Sequence, residues 1–212
     1  MNLAVIIPAF NEEASIKALI LKIRPIGFPI IVDDCSTDAT REISRESGGH
    51  VVHHSINQGY EAALETGITE ARMLGFSHAV TMDADGQHSP DLLNIFIKEF
   101  QSGADVIVGN RNNTQRWSEY IFRIVGSMIW GINDPLCGMK GYRLDMLDGI
   151  ESFRTYKSIG TELVLRLAKK DIKISQPKIS IIPRSGESRF GSGLAANLSI
   201  LAAIFFSVVR LR

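Results

Sequence analysis

The chain has 212 residues, 45% hydrophobic and 22% charged. That balance excludes general disorder and suits one domain burying roughly 70% of the surface its unfolded chain exposes. Lysine plus arginine and aspartate plus glutamate both total 23, for zero formal net charge, which argues against a uniformly basic nucleic-acid binder and leaves only a local basic patch open.

The opening MNLAVIIPAFNEE lacks a basic region and soon turns polar, so it reads as a first strand and not as a signal peptide. Leu3–Ile7 is a short apolar run closed by Pro8, and Ile16, Leu19, Ile20 and Ile23 follow at helical spacing. Pro29–Val32 is the next strand, ending in Asp33-Asp34. Asp38–Ser47 is a polar helix with Asp38 as its cap, and His50–His53 a short strand. Tyr60, Leu64, Gly67, Ile68 and Ala71 mark a helix. His78–Met82 is a strand running into Asp83-Ala84-Asp85. A helix over Leu92–Phe100 and a strand over Asp105–Val108 complete an alternation that predicts an α/β domain with a mostly parallel sheet. Asn11-Glu12, Asp33-Asp34 and Asp83–Gln87 each follow a predicted strand. Open α/β sheets bind ligands at that edge.

The second half reads differently. Trp117–Met128 suits a helix, with Arg116, Tyr120, Arg123 and Ser127 along one face, either solvated or gripping a phosphate. Asp134–Arg143 reads as a Gly-rich turn, Ile159–Leu167 as a helix pairing Glu162 with Arg166, and Ile179–Ile182 as a strand. Arg184–Gly193 reads as a flexible segment carrying Arg184 and Arg189. Residues 1–193 thus form the expected main domain, and 194–212 a hydrophobic appendage. Leu194–Val209 is 16 residues without a charge, short of the ~20 a spanning helix needs. It is expected to lie on a membrane surface or form an oligomer contact, with a buried core helix as the plain alternative.

Asp83-x-Asp85 is the chemical centre. In an extended chain residues i and i+2 point the same way, so both carboxylates face one hard cation, Mg²⁺ or Mn²⁺, to which Gln87 can add an amide oxygen. A phosphatase with an aspartyl nucleophile also uses DxD, but after the first strand of its domain, whereas here the motif follows a later one. The histidines form no metal pattern. His53 and His54 read as strand-edge residues, and His88 lies close enough in sequence to touch a phosphate. Cys35 and Cys137 form no CxxC pair and read as reduced thiols of a cytoplasmic protein.

VIIPAFNEE, VDDCSTDAT, NQGYEAAL and TMDADGQHSPD, spanning residues 4–91, resemble in order and spacing the successive motifs of family 2 glycosyltransferases. VGNR, DPLCGMKGYR and GESR more loosely resemble the dolichyl-phosphate mannose synthase subgroup and its polyprenyl-phosphate relatives. The resemblance implies a GT-A fold, a metal-dependent inverting transfer and a nucleotide-diphosphate sugar donor, UDP- or GDP-linked. It implies that Pro8, Phe10, Glu12 and Ala84 line the nucleotide pocket, that Asp33 or Asp34 holds the base, and that Asp83, Asp85 and Gln87 hold the metal. The subgroup's acceptor is a polyprenyl phosphate at the cytoplasmic membrane face. That acceptor needs cations and no base, supplied by Arg111, Arg123, Ser127, Arg184 and Arg189. A saccharide hydroxyl acceptor in surface polysaccharide assembly would instead need a base, Asp134 or Glu162. A non-catalytic nucleotide-binding subunit is a third possibility, which the intact DADGQ argues against. Two departures stand out: Arg184-Ser185-Gly186 is one residue tighter than the subgroup pattern, and one hydrophobic segment stands where many bacterial relatives have two or more. The membrane anchor is then expected to be this helix or to come from a partner, and a homo-oligomer is a separate possibility.

Overall fold

The computed structural model describes residues 1–112, 116–148, 160–182 and 194–210. In chain order the elements are β1 (Leu3–Ala9), α1 (Ile16–Ile23), β2 (Phe28–Asp33), α2 (Thr40–Glu46), β3 (His50–His53), α3 (Tyr60–Met73), β4 (His78–Thr81), α4 (Leu93–Gln101), β5 (Val106–Val108), β6 (Asn110–Arg111), α5 (Trp117–Trp130), β7 (Lys140–Arg143), α6 (Thr161–Leu167), β8 (Ile174–Ser175), β9 (Lys178–Ile179) and α7 (Leu194–Arg210). Seven strands form one sheet in the order β3-β2-β1-β4-β7-β5-β8, and β6 pairs with β9 beside it. All the large-sheet pairings are parallel except those of β7, which runs against β4 and β5. This is the predicted α/β architecture.

The period-2 rule of strands explains the two cores. Ala4 and Ile6 of β1 face one side with Leu64 and Ile68 of α3, Phe122 of α5 and Ile204 of α7. Leu3, Val5 and Ile7 face the other with Ile16 and Ile20 of α1 and Phe96 of α4. Beneath α3, a Cβ added at Gly67 would lie 2.3 Å from Ile6 Cγ2.

Two elements depart from expectation. β1 continues through Pro8 to Ala9, because its pairing with β4 ends at Ile6–Thr81. Beyond that pair Pro8 lies alongside β2 alone, where a missing N–H is tolerated. The segment KGYR, read as turn, is strand β7 inside the sheet. Its pattern is masked because Lys140 is buried and because Gly141 lies under the rings of Phe96 and Phe100, where a Cβ would stand 3.0 and 2.8 Å from ring carbons.

Helix α7 packs on α5. Ala203 and Ile204 are buried, and Ser118 Oγ donates to Asn197 Oδ1 at 2.6 Å. Among the described residues no helix is long and apolar enough to cross a membrane.

Gly67→Ala is expected to destabilise the fold by about 1–3 kcal/mol through overpacking of α3 on β1, read as a lower urea midpoint at unchanged slope.

Candidate active site

Strands β1, β2 and β4 run parallel and end at one edge of the sheet, so the loops that follow them meet there. They line a cleft of ≈ 460 Å³ with Pro8, Ala9 and Phe10 after β1, Asp34 after β2, and Asp83, Ala84, Asp85, Gln87 and His88 after β4. The same cleft is lined by Arg111, Arg116, Glu119, Leu136 and Gly138, by Tyr60 and Ala63 of α3, and by Ile181 and Ile200. Of the residues predicted for the nucleotide and metal, Pro8, Phe10, Asp34, Ala84, Asp83, Asp85 and Gln87 therefore meet in one cavity.

The neighbouring aspartates differ. Asp33 is fully buried, accepts from the Ser36 amide at 3.2 Å and contacts His53 Nδ1 at 2.8 Å. Asp34 faces the cleft. It accepts from the amides of Gln58 and Gly59 at 2.8 and 2.7 Å and contacts His54 Nδ1 at 2.7 Å. His54 Nε2 meets Thr66 Oγ1 at 2.9 Å. With that hydroxyl donating, the ring keeps its proton on Nδ1 and gives it to Asp34. His54 thus ties β2 to α3, a role hidden in a sequence where it reads as a strand-edge residue. Glu12 does not line the cleft. Its amide donates to Thr40 Oγ1 at 2.7 Å, and its carboxylate accepts from Ser15 Oγ at 3.0 Å, which fixes the turn into α1. Asp38 accepts from the Thr40 amide at 2.9 Å, but it stands one residue before the N-cap of α2, which is Ala39, and so is not the cap the sequence predicted.

Asp83 is held from two sides. Tyr60 donates its hydroxyl to Oδ1 at 2.6 Å. Burial, then the charge of Asp83, pushes the Tyr60 phenol well above its usual range, so it stays a donor. Behind Oδ2 lies Gly138, where an added Cβ would stand only 2.3 Å away. Asp85 Oδ1 accepts from the Gln87 amide at 3.1 Å, and the Gln87 carbonyl accepts from the Ile182 amide at 2.9 Å. Lys140 lies buried under this wall. Burial pulls its ammonium down to about 8, while Asp134 and Asp83 favour the charged form.

Arg111 donates to Asp134 through its amide at 3.0 Å, Nε at 2.8 Å and Nη2 at 2.9 Å. Burial lowers the Arg111 pKa, but Asp134 and Glu119 outweigh it and hold the guanidinium charged. Glu119, buried, also accepts from Arg116 Nη1 at 3.2 Å. Asp134 is 1% exposed, so its oxygens face Arg111 and not the cleft. Arg123 stands behind this wall, donating to the Arg111 carbonyl at 3.0 Å and to Asn110 Oδ1 at 2.6 Å. Ser127 is on the exposed side of α5. Glu162 is paired with Arg166 at 2.6 Å and lies outside the cleft. Arg184 and Arg189 lie outside the described residues. Glu119, Tyr60 and His54 are the site residues that reading the sequence missed, whereas Arg116 belongs to the helix face read as either solvated or gripping a phosphate.

The donor set fits a hard divalent cation. Asp83, Asp85 and Gln87 offer oxygens, and the Nδ1 of buried His88 is without a hydrogen-bond partner beside them. Among the described residues no three His, Cys, Asp or Glu side chains form a closed cage. Mg²⁺ commonly takes one or two carboxylates and completes its shell with substrate phosphates.

The architecture is the GT-A fold. It superposes on a crystal structure of a mycobacterial protein (TM-score 0.78, 19% identity, 96% of this chain and 74% of that one). It also superposes on glucosyl-3-phosphoglycerate synthase of Mycobacterium tuberculosis, solved with Mn²⁺, UDP and glucosyl-3-phosphoglycerate (TM-score 0.72, 18% identity, 99% and 78%). The chain belongs to Glycosyl transferase family 2, whose profile matches residues 4–135. It is 27% identical to the dolichyl-phosphate hexose transferase of Haloferax volcanii over 99% of this chain and 97% of that protein. To the undecaprenyl-phosphate mannosyltransferase of Micrococcus luteus it is 28% identical, over 92% and 89%.

His54→Leu leaves Asp34 without its ring donor and is expected to cost about 1.5–3 kcal/mol in chemical denaturation. His54→Asn keeps a donor near the Nδ1 position and should recover most of that loss.

Proposed function

We propose that this enzyme moves a sugar from a UDP or GDP carrier onto a polyprenyl phosphate at the cytoplasmic membrane face, using Mg²⁺ or Mn²⁺. The observation that carries this reading is the meeting of both charge signs in one cleft, which Asp83, Asp85, Arg111 and Arg116 line together. The nucleoside would lie along Pro8–Phe10 with its base towards Asp34. Asp83, Asp85 and Gln87 would hold the cation on the donor diphosphate. When bound, that cation neutralises the leaving group's charge.

Arg111 and Arg116 would orient the acceptor phosphate. One of its oxygens attacks the anomeric carbon from the face opposite the diphosphate. A C–O bond forms as the bond to the diphosphate breaks, the electron pair leaves with the diphosphate, and the sugar inverts. The attacking oxygen is already anionic, so no proton has to be removed. A hydroxyl acceptor would need a base in reach, yet Asp134 and Glu119 are each engaged by guanidinium groups. Asp134 and Arg123 act here as positioning residues for Arg111. The relatives named for polyprenyl-phosphate acceptors support the same choice.

The outer faces of α5 and α7 support the membrane location. Tyr120, Ile124 and Met128, spaced 4 apart, and Leu198, Phe205 and Val209 are exposed at 60, 44, 81, 64, 63 and 63%, as on helices lying at an interface.

In a transfer assay with UDP- and GDP-sugars, Mn²⁺ and a short polyprenyl phosphate, product is expected only with lipid phosphate and metal. Asp85→Ala should lower turnover by about two orders of magnitude or more. Arg116→Gln should raise KM for the lipid phosphate by about one to two orders of magnitude, with a smaller effect on donor affinity. Turnover on an oligosaccharide hydroxyl but not on the lipid would sink this acceptor. Met128→Asp combined with Phe205→Asp is expected to abolish co-sedimentation with phosphatidylglycerol vesicles while leaving the circular-dichroism spectrum intact.

A further inference from the structure

Three of the protein's histidines contact carboxylates at ordinary hydrogen-bond length: His53 with Asp33 at 2.8 Å, His54 with Asp34 at 2.7 Å and His50 with Glu70 at 2.8 Å. His78 contacts the Ser77 hydroxyl at 2.8 Å, which leaves His88. Its Nδ1 stands 3.7 Å from Asp83 Oδ2, too far for a hydrogen bond. The side chain is 4% exposed, and among the described residues Nδ1 has no other partner. A buried imidazole nitrogen left unpaired is costly, and here a carboxylate oxygen lies just out of its reach.

The carboxylate is not free to close the gap unaided. Tyr60 holds Oδ1 at 2.6 Å, and Gly138 lies so near Oδ2 that a Cβ added there would stand 2.3 Å from it. Nδ1 has almost no surface accessible to bulk solvent. A bare divalent ion is smaller than a water molecule. Two ligands each about 2.1 Å from one ion lie about 3.0 Å apart at a right angle and about 3.6 Å apart at 120°. The 3.7 Å separation is therefore near ligand-to-ligand spacing, and a small ring rotation brings it to the octahedral value.

We propose that His88 Nδ1 is a direct ligand of the divalent cation beside Asp83 Oδ2, making the site a mixed nitrogen–oxygen one. The inference rests on the metal-dependent reading above. Nitrogen ligation favours Mn²⁺ over Mg²⁺, since Mg²⁺ is bound almost wholly through oxygen.

The test is pulsed electron paramagnetic resonance of Mn²⁺ bound to the full chain with UDP. A directly bound ¹⁴N modulation is expected, replaced by the ¹⁵N pattern in protein grown with ¹⁵N-histidine. The signal should vanish in His88→Asn, whose ratio of Mn²⁺ to Mg²⁺ affinity by calorimetry should also fall. The labelled wild-type protein decides the matter even if the variant does not fold. Mn²⁺ bound with UDP but showing no histidine nitrogen would overturn the proposal and leave the metal-dependent function standing. In that case a ³¹P coupling lost in His88→Asn would make His88 a phosphate donor instead. Failure of Mn²⁺ to bind with UDP at all would overturn both.

Discussion

A strand that runs against its neighbours delivers to the functional edge the residues that precede it, where its parallel neighbours deliver those that follow. β7 does this between β4 and β5. The loop before it therefore brings Asp134, Leu136 and Gly138 to the edge where β1, β2 and β4 end. Asp134 then seats Arg111, and Gly138 packs against the first carboxylate of DxD. The cationic wall depends on that reversal.

Where chemistry follows a strand directly, the sequence displays it. Asp34, Asp83, Asp85 and Gln87 stand one to six residues past apolar runs, and period alone places them. β7 is hidden for the opposite reason: its lysine and glycine break the apolar pattern, although both are buried. The histidine partners of Asp33 and Asp34 are invisible because the contacts span twenty positions along the chain and depend on parallel register between β2 and β3. Arg123 illustrates a related limit. Its helical spacing makes it a candidate ligand, but its guanidinium serves the backbone of the loop in front of it.

Both walls are locally compensated. Arg111 and Arg116 are answered by Asp134 and Glu119, while Lys140 lies buried near Asp83. Buried charges are tolerable only with partners, so Asp134 and Glu119 keep the guanidinium groups charged and fixed before any substrate arrives. Little reorganisation then accompanies binding, which favours catalysis by preorganisation.

Helix α7 has two duties. Ile200 forms part of the cleft wall, and Leu198 and Phe205 point away from it. Whatever adsorbs to the outer side of this helix loads the same rod that shapes the cavity. On the proposed membrane contact, detergents and lipids would act on the cavity as well as solvate the protein, and Michaelis constants obtained in micelles and in bilayers would differ.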